Sequence, residues 1–423
     1  MAGLGAAYKA AQENVTAVLY DKNDHPGGHT ASMTTPEGFI FDEGPHISFT
    51  KDERIQALFA ANVDDAYESF PAHVNNFWQG RWIKHPAQCN LHGLPTDVVV
   101  NVLRDFIHAQ TNEPGDINNY ADWLLASYGR TFAETFPMEY GLRYHTTTAD
   151  NMTTDWLGPR LYRPNIEEIL RGALSPETED VHYVTGFRYP SQGGFVSYLN
   201  RFFENSDIKL DHKVVKIDPA DKLLHFANGK QIVYQNLVSS IPLPDLIPLI
   251  DDVPAEVQTA VDKLACTSCL AINIGLSRED ISPAHWTYFY DRDFIFTRIS
   301  FPHMFAPGNV PEGTGSIQAE IYFSKKYKPL EHTHEECIDL TIKDLKRCGL
   351  IREDDKILYK GARQIDYANI IFDLDREDAL SIVHDYLDGI NIHVAGRYGL
   401  WGYQWTDESF KSGESAVERI LGK

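Results

Sequence analysis

The sequence predicts an α/β fold in which two units alternate along the chain, and three observations carry that expectation. Residues Gly3–Gln12 are rich in alanine and glycine and read as a helix; an apolar, partly β-branched strand, Val15–Tyr20, follows and ends at Asp21. Between about 52 and 180 the apolar residues recur at helical spacing. From 266 to 325 short β-rich segments follow one another, and a last apolar strand and a helix close the chain.

The elements can be justified in order. After Asp21 the run from Asn23 to Gly28 has loop chemistry, and Phe39–Asp42 reads as a short strand before the Gly44-Pro45 turn. Thr96–Gln110, with Thr96 as a cap, and Asn118–Tyr128 are amphipathic helices. Phe187–Gly194 opens a second unit, with a helix over Phe195–Asn205 and a strand over Lys213–Ile217. Leu223–Phe226 and Gln231–Tyr234 form a hairpin through Asn228-Gly229, and Leu237–Ile241 is a further short strand. Cys269–Ile274, Trp286–Tyr290, Phe294–Ser300 and Ser316–Phe323 are the β-rich segments. A helix follows over His334–Cys348, then the strand Ile392–Ala395, an aromatic loop and a helix over Glu408–Leu421.

Composition narrows the function. The 423 residues carry 38 Lys+Arg against 60 Asp+Glu, a net charge of 38 − 60 = −22, which repels phosphate backbones and argues against a nucleic-acid partner. No stretch reaches the roughly 18 uncharged apolar residues of a membrane span. The start lacks the pattern of a secretory leader, and five scattered cysteines fit a reducing, cytoplasmic compartment. Cys266 and Cys269 form a lone C-x-x-C, His332, His334 and Cys337 lie in an acidic helix, and Asp373–Asp378 lacks the glycine of a calcium loop, so no metal site is expected. No hydrolase elbow occurs.

The chemistry-bearing pattern lies at the start. Met1-Ala2-Gly3-Leu4-Gly5 looks like the second half of a glycine fingerprint for dinucleotides, with Gly3 as its third glycine and Asp21 at the distance of a ribose-binding acid. The first strand and two glycines are absent. Three readings stand: Met1 is internal to a longer natural protein, tight cofactor binding has been lost, or the helix is merely rich in small residues. Absence of that strand leaves an open slot with unpaired strand edges in a parallel sheet. His25-Pro26-Gly27-Gly28-His29 follows, where paired glycines let backbone amides approach a phosphate or a flavin. Then comes Asp42-Glu43-Gly44-Pro45-His46.

Together these stretches resemble the FAD-dependent superfamily of amine oxidases, protoporphyrinogen oxidases and UDP-galactopyranose mutases, with the first strand of the FAD motif missing. Tyr189-Pro190-Ser191-Gln192-Gly193-Gly194, Lys213–Ile217 and Ile392–Arg397 are similar to later elements of the same superfamily. The resemblance implies a Rossmann-like FAD-binding domain over 1–75, 185–265 and 385–423. It implies a substrate domain, β-rich and helical, inserted as 76–184 and 266–384. FAD would meet Gly3, Gly5, Asp21, Lys22, Gly27, Gly28, Gly44, Pro45, Val214 at the adenine, Gly396, Arg397, Trp405 and Thr406. The last helix, capped by Thr406 or Asp407, would point its positive end at the flavin pyrimidine.

Other motifs resemble the eukaryotic-type mutases. Trp156-Leu157-Gly158-Pro159-Arg160 looks like their diphosphate-binding element, Arg298 like a second diphosphate arginine, and Gly396–Tyr403 like an aromatic loop with Tyr403 on the substrate side. His46 stands where those enzymes place a histidine near the flavin, although Pro45 replaces a glycine. His46, Arg160, Arg298 and Tyr403 are therefore the expected catalytic residues. Three functions remain open: an FAD-dependent oxidoreductase of the amine-oxidase type, a flavin-dependent nucleotide-sugar mutase, or a relative that has lost FAD. The expected partner is a small-molecule substrate, a nucleotide sugar in the mutase reading. The sequence does not fix the oligomeric state.

Overall fold

The first helix spans Ala2–Gln12 and packs along the last, Thr406–Leu421, at glycine crossings. A Cβ at Gly5 would lie 1.9 Å from the Phe410 carbonyl oxygen, and one at Gly413 1.9 Å from that of Ala2, so only glycine lets these backbones approach. The coordinates are a computed structural model of the chain, describing all residues except 112–114, 159–160, 180 and 182.

Two short parallel strand pairs lie beside this helix pair. Val18–Tyr20 pairs with Asp207–Lys209, and Leu237–Ser239 with Ile392–Val394. They remain separate two-stranded sheets, and among the described residues no strand joins them. The start of the first helix bridges the two: a Cβ on Gly3 would meet Leu19 at 2.9 Å, while Ala2 lies 3.0 Å from the Cβ position of Gly396. Val18 is exposed, unusual for a strand of a parallel sheet.

The largest sheet has seven strands in the order Ile357–Ile370, Cys266–Leu276, Gly315–Ser324, Arg298–Ser300, Trp286–Phe289, Val74–Trp78 and Arg81–Lys84. All neighbours are antiparallel except Trp286–Phe289 with Val74–Trp78. One face is apolar, with Leu270, Ile272, Ile299, Ile317, Ala319 and Ile321 in a core that includes Leu345 of the helix His334–Arg347. The opposite face is polar yet buried, carrying Asn273, Gln318 and Glu320, each no more than 2% exposed. Helices Thr96–Thr111, Tyr120–Tyr128, Arg130–Thr135 and Pro137–Tyr144 cover part of the molecule around a second core that includes Val102, Phe106, Leu124 and Phe136.

Several expectations are corrected. The region read as helical contains strands Tyr67–Pro71, Val74–Trp78 and Arg81–Lys84. Gln79 and Gly80, both at positive φ, make the tight turn of the last two, and strands this short do not reveal their period. The strand Ile357–Ile370 and the helix Arg376–Gly389 were not expected. The strand mixes Lys360, Gly361, Arg363 and Asp366 at the sheet edge, and the helix begins in the acidic run, where Glu377 and Asp378 suit its positive end. Phe195–Leu199 is a tighter 3₁₀ turn before a short helix, Asn200–Glu204. Thr96 lies inside its helix rather than capping it. At the last helix the cap is Trp405, whose N–H donates to Glu408 Oε2 at 2.8 Å. Thr406 is the first helical residue, and the Asp407 carboxylate accepts from Thr50 Oγ1 at 2.6 Å. No described helix is long and apolar enough to cross a membrane.

Candidate active site

A single register line across the large sheet lays the floor of the site. Tyr288 lies opposite Arg298, Arg298 opposite Glu320, Glu320 opposite Ala271 and Ala271 opposite Arg363. Directly paired residues share a face, so these side chains form one row on the polar face. Arg298 donates to both oxygens of Glu320, at 2.5 and 2.8 Å, and Tyr322 adds its hydroxyl to Oε2 at 3.0 Å. Burial pulls the Arg298 guanidinium down, but Glu320 and Tyr322 outweigh it and hold the group firmly charged. At the far end of the row Arg363 pairs with Glu43, which brings the Gly44-Pro45-His46 turn over the floor.

Tyrosines wall this floor. Tyr140 and Tyr144, one helical turn apart, stack at 5.3 Å; Tyr140 meets Tyr288 edge-on at 5.3 Å, and Tyr144 packs on Tyr322 at 4.7 Å. Burial, reinforced by Tyr403, pushes the Tyr144 phenol up, so its hydroxyl stays a neutral donor. Tyr403 closes the other side, under the Arg397 guanidinium at 5.0 Å. Arg397 is fixed by carbonyls, Gln404 at 2.8 Å and Ala368 at 3.3 Å, and the described contacts give it no carboxylate partner.

His46 Nδ1 lies 2.8 Å from the Gly44 carbonyl, so the neutral ring donates there and keeps Nε2 as an acceptor. Burial drags its pKa to about 4, the Gly44 bond resists, and Arg397 and Arg298 add to the fall. His29 behaves alike: burial first, then His46, Arg397 and Lys22 lower it to about 4. The His29 ring lies 5.0 Å from that of Tyr398. The loop after Asp21, the Gly27-Gly28 turn and the segment after Gly396 therefore converge on one place.

The backbone there suits a dinucleotide. Gly27, Gly28, Gly44 and Gly396 all have positive φ, and a Cβ on Gly28 would project into open space. The Gly396 N–H donates to Ser412 Oγ of the last helix at 2.8 Å. Asp21 Oδ1 accepts from Asn23 at 2.9 Å, and its own N–H joins the strand ladder at Lys209. Lys22 and Arg397, beside two neutral imidazoles, make a cationic surround that fits a pyrophosphate. Val214 begins its strand and, like Tyr20 of the Asp21 strand, packs on the larger core. Gly3 and Gly5 serve packing, as described above. Pro45 is half-buried next to His46. Trp405 stacks on Tyr183 at 5.9 Å and meets Phe49 edge-on at 4.7 Å. Arg160 lies outside the described residues.

Residues that sequence reasoning passed over are Glu320, Tyr140, Tyr144, Tyr288, Tyr322, His29 and Asp42. Asp42 accepts from Ser32, Tyr189 and the Phe195 N–H, at 2.6, 2.8 and 3.1 Å. Burial raises it to about 6 against the pull of those donors. It ties the strand before Gly44 to the Gly193-Gly194 turn. The signal for Glu320 and Tyr322 was present in Ile317-Gln318-Ala319-Glu320-Ile321-Tyr322, whose strict alternation marks a sheet face with polar work to do.

Comparison with known proteins gives concordant results. A family model described as flavin containing amine oxidoreductase matches residues 1–421. A solved reduced UDP-galactopyranose mutase superposes with a TM-score of 0.94 at 24% identity, covering 100% of this chain and 93% of that one. A candidate protoporphyrinogen oxidase from an Exiguobacterium species gives 0.76 at 15% identity, covering 100% and 97%. A putrescine oxidase variant redesigned in cofactor binding gives 0.68 at 12%, covering 100% and 97%. At these identities the likeness establishes the fold.

Proposed function

Because the chain belongs to the flavin containing amine oxidoreductase family, we propose that it holds FAD in the site just described and acts as a flavin-dependent mutase on a nucleotide sugar. The observation that carries this reading is the charge of the site. Within a chain of net charge −22, the site holds the buried Arg298–Glu320 pair and, beside it, Arg397, to which the described contacts give no carboxylate partner. With Arg298 offset by Glu320, the guanidinium of Arg397 leaves the site net positive, which disfavours an ammonium substrate and favours a diphosphate. The fold shared with a UDP-galactopyranose mutase supports the same choice.

In this reading Asp21 and Lys22 would meet the ribose, Gly27, Gly28 and Arg397 the phosphates, Val214 the adenine, and Gly44, Pro45, Gly396 and the Trp405-Thr406 helix start the flavin ring, with Gly3 and Gly5 supporting the site through packing. A reduced flavin, when bound, supplies an electron-rich ring nitrogen able to displace a diphosphate from an anomeric carbon and later return it. The protein's own residues do the rest. Arg298, oriented by Glu320, binds the diphosphate, and the hydroxyls of Tyr140, Tyr144, Tyr288 and Tyr403 orient it. His46, neutral at pH 7, offers Nε2 as an acceptor without adding charge. The aromatic walls exclude water, which strengthens each polar contact. The interleaved domain division given above fits this assignment.

Purified protein should show a flavin absorption spectrum and convert UDP-galactopyranose only after dithionite reduction. Oxygen uptake with putrescine and no turnover of the nucleotide sugar would replace this reading by an amine oxidase. Absence of flavin after incubation with FAD would leave a relative that has lost its cofactor.

A further inference from the structure

The aromatic loop that carries Arg397 and Tyr403 turns on a strained residue. Trp401 has φ +47°, a left-handed conformation in which a Cβ crowds the following carbonyl, and its side chain is fully buried. Its indole N–H finds no acceptor among the described residues, so packing alone, including an edge-on contact with Tyr367 at 6.3 Å, holds the ring. The polar handle on this residue is its carbonyl.

That carbonyl is gripped from outside the loop. Arg376, 7% exposed at the start of the helix Arg376–Gly389, donates both Nε, at 3.1 Å, and Nη2 to the Trp401 oxygen. Its guanidinium carbon lies over Phe372, 4.2 Å from the ring centre, and Nη1 reaches Glu377 at 3.2 Å. Two turns along the same helix, His384 Nε2 lies 3.3 Å from the Gly399 carbonyl. The loop is closed on itself around Trp401: the Gly402 N–H donates to Arg397 O at 3.0 Å, and Arg397 Nε donates to Gln404 O at 2.8 Å. Moving the Trp401 peptide therefore moves Arg397 and Tyr403 together.

We propose that Arg376 is a positioning residue: by holding the Trp401 carbonyl it keeps the 396–405 loop in the strained turn that holds Arg397 at the cofactor and presents Tyr403 to an anionic substrate. The inference rests on the reading of the site as a diphosphate pocket. Arginine is needed because one carbonyl receives two donors from a planar fork braced on a ring, and lysine brings a single point donor without that stack. The cost of the left-handed tryptophan is tolerated only while the surroundings over-determine it.

The test uses the full chain, loaded with FAD and reduced, as parent, Arg376→Lys and Arg376→Met. Hydrogen exchange is read across the whole chain, and UDP binding is read by titration. In Arg376→Met, exchange over 399–405 should quicken at least tenfold while the seven-stranded sheet stays within twofold. The dissociation constant for UDP should rise at least tenfold, and Arg376→Lys should fall between the two. Exchange that quickens evenly along the chain, or a UDP constant within twofold of the parent, overturns the proposal. If the parent itself does not bind UDP, the diphosphate reading fails, and the exchange over 399–405 alone decides whether Arg376 braces the loop.

Discussion

Arg298 and Glu320 stand opposite each other on adjacent strands, and neither is tolerable alone where it lies. Glu320 is 2% exposed, so replacing it by glutamine leaves a buried guanidinium without its counter-charge. Breaking one partner of such a pair costs about 3–5 kcal/mol, and exchanging both for apolar residues costs far less. Glu320→Gln should therefore lower the unfolding free energy in urea by that amount, and the double variant with Arg298→Met should lose less than the two single losses summed. A loss in the double variant equal to the two single losses summed would show that the pair is not coupled. Arg298 was legible as one residue of a short motif. Its partner lies 22 positions away and is found only through strand register, which sequence alone does not fix. His46 was legible by its glycine-turn context, but the burial that keeps it neutral was not.

At the scale of elements, what could be read depended on length and period. The first and last helices, the Asn228-Gly229 hairpin, with Gly229 at φ +82°, and the strand Gly315–Ser324 follow from local pattern. The 67–84 strands did not, because four or five residues cannot display a period that tertiary pairing later selects. The crossing of the first and last helices was equally hidden, since Gly5 reads as fingerprint chemistry and Gly413 as a weak spot in a helix. Its packing gives a sharp contrast between two helix glycines. Gly413→Ala puts a Cβ 1.9 Å from the Ala2 oxygen, whereas a Cβ at Gly389 meets nothing within 4 Å. Overpacking of this kind costs about 1–3 kcal/mol or more, while alanine at an unstrained open glycine adds about 0.4–1 kcal/mol. Thermal unfolding should thus place Gly413→Ala below the parent and Gly389→Ala at or above it; the reverse order would disprove the close crossing.

Over the whole molecule, buried imidazoles set the response to acid. Burial lowers His145 to about 3 and His285 and His303 to about 4. Between pH 6.5 and 4 the unfolded chain binds protons that these folded rings refuse, so stability falls as the pH drops through that window. Each full displacement of 2.5 pH units is worth on the order of 3 kcal/mol. Asp42, raised to about 6, binds its proton early and runs the other way, but it opposes five rings, these three together with His29 and His46. His145→Phe should flatten the curve of stability against pH by about one proton, since His145 Nδ1 has no hydrogen-bond partner to lose. An unchanged slope would mean that this ring charges freely in the folded state. The net charge of −22 was visible in composition, whereas the cationic pocket inside it was not, because it draws Lys22, Arg298 and Arg397 from three distant stretches.

The glycine crossing also orders events in time. Ala2–Gln12 is translated well before the surface it crosses, Thr406–Leu421. Until the later helix is made, Ala2–Gln12 has only its nearer neighbours, Leu19 and Phe202, to lean against, and the glycine crossing is the last of its contacts to close.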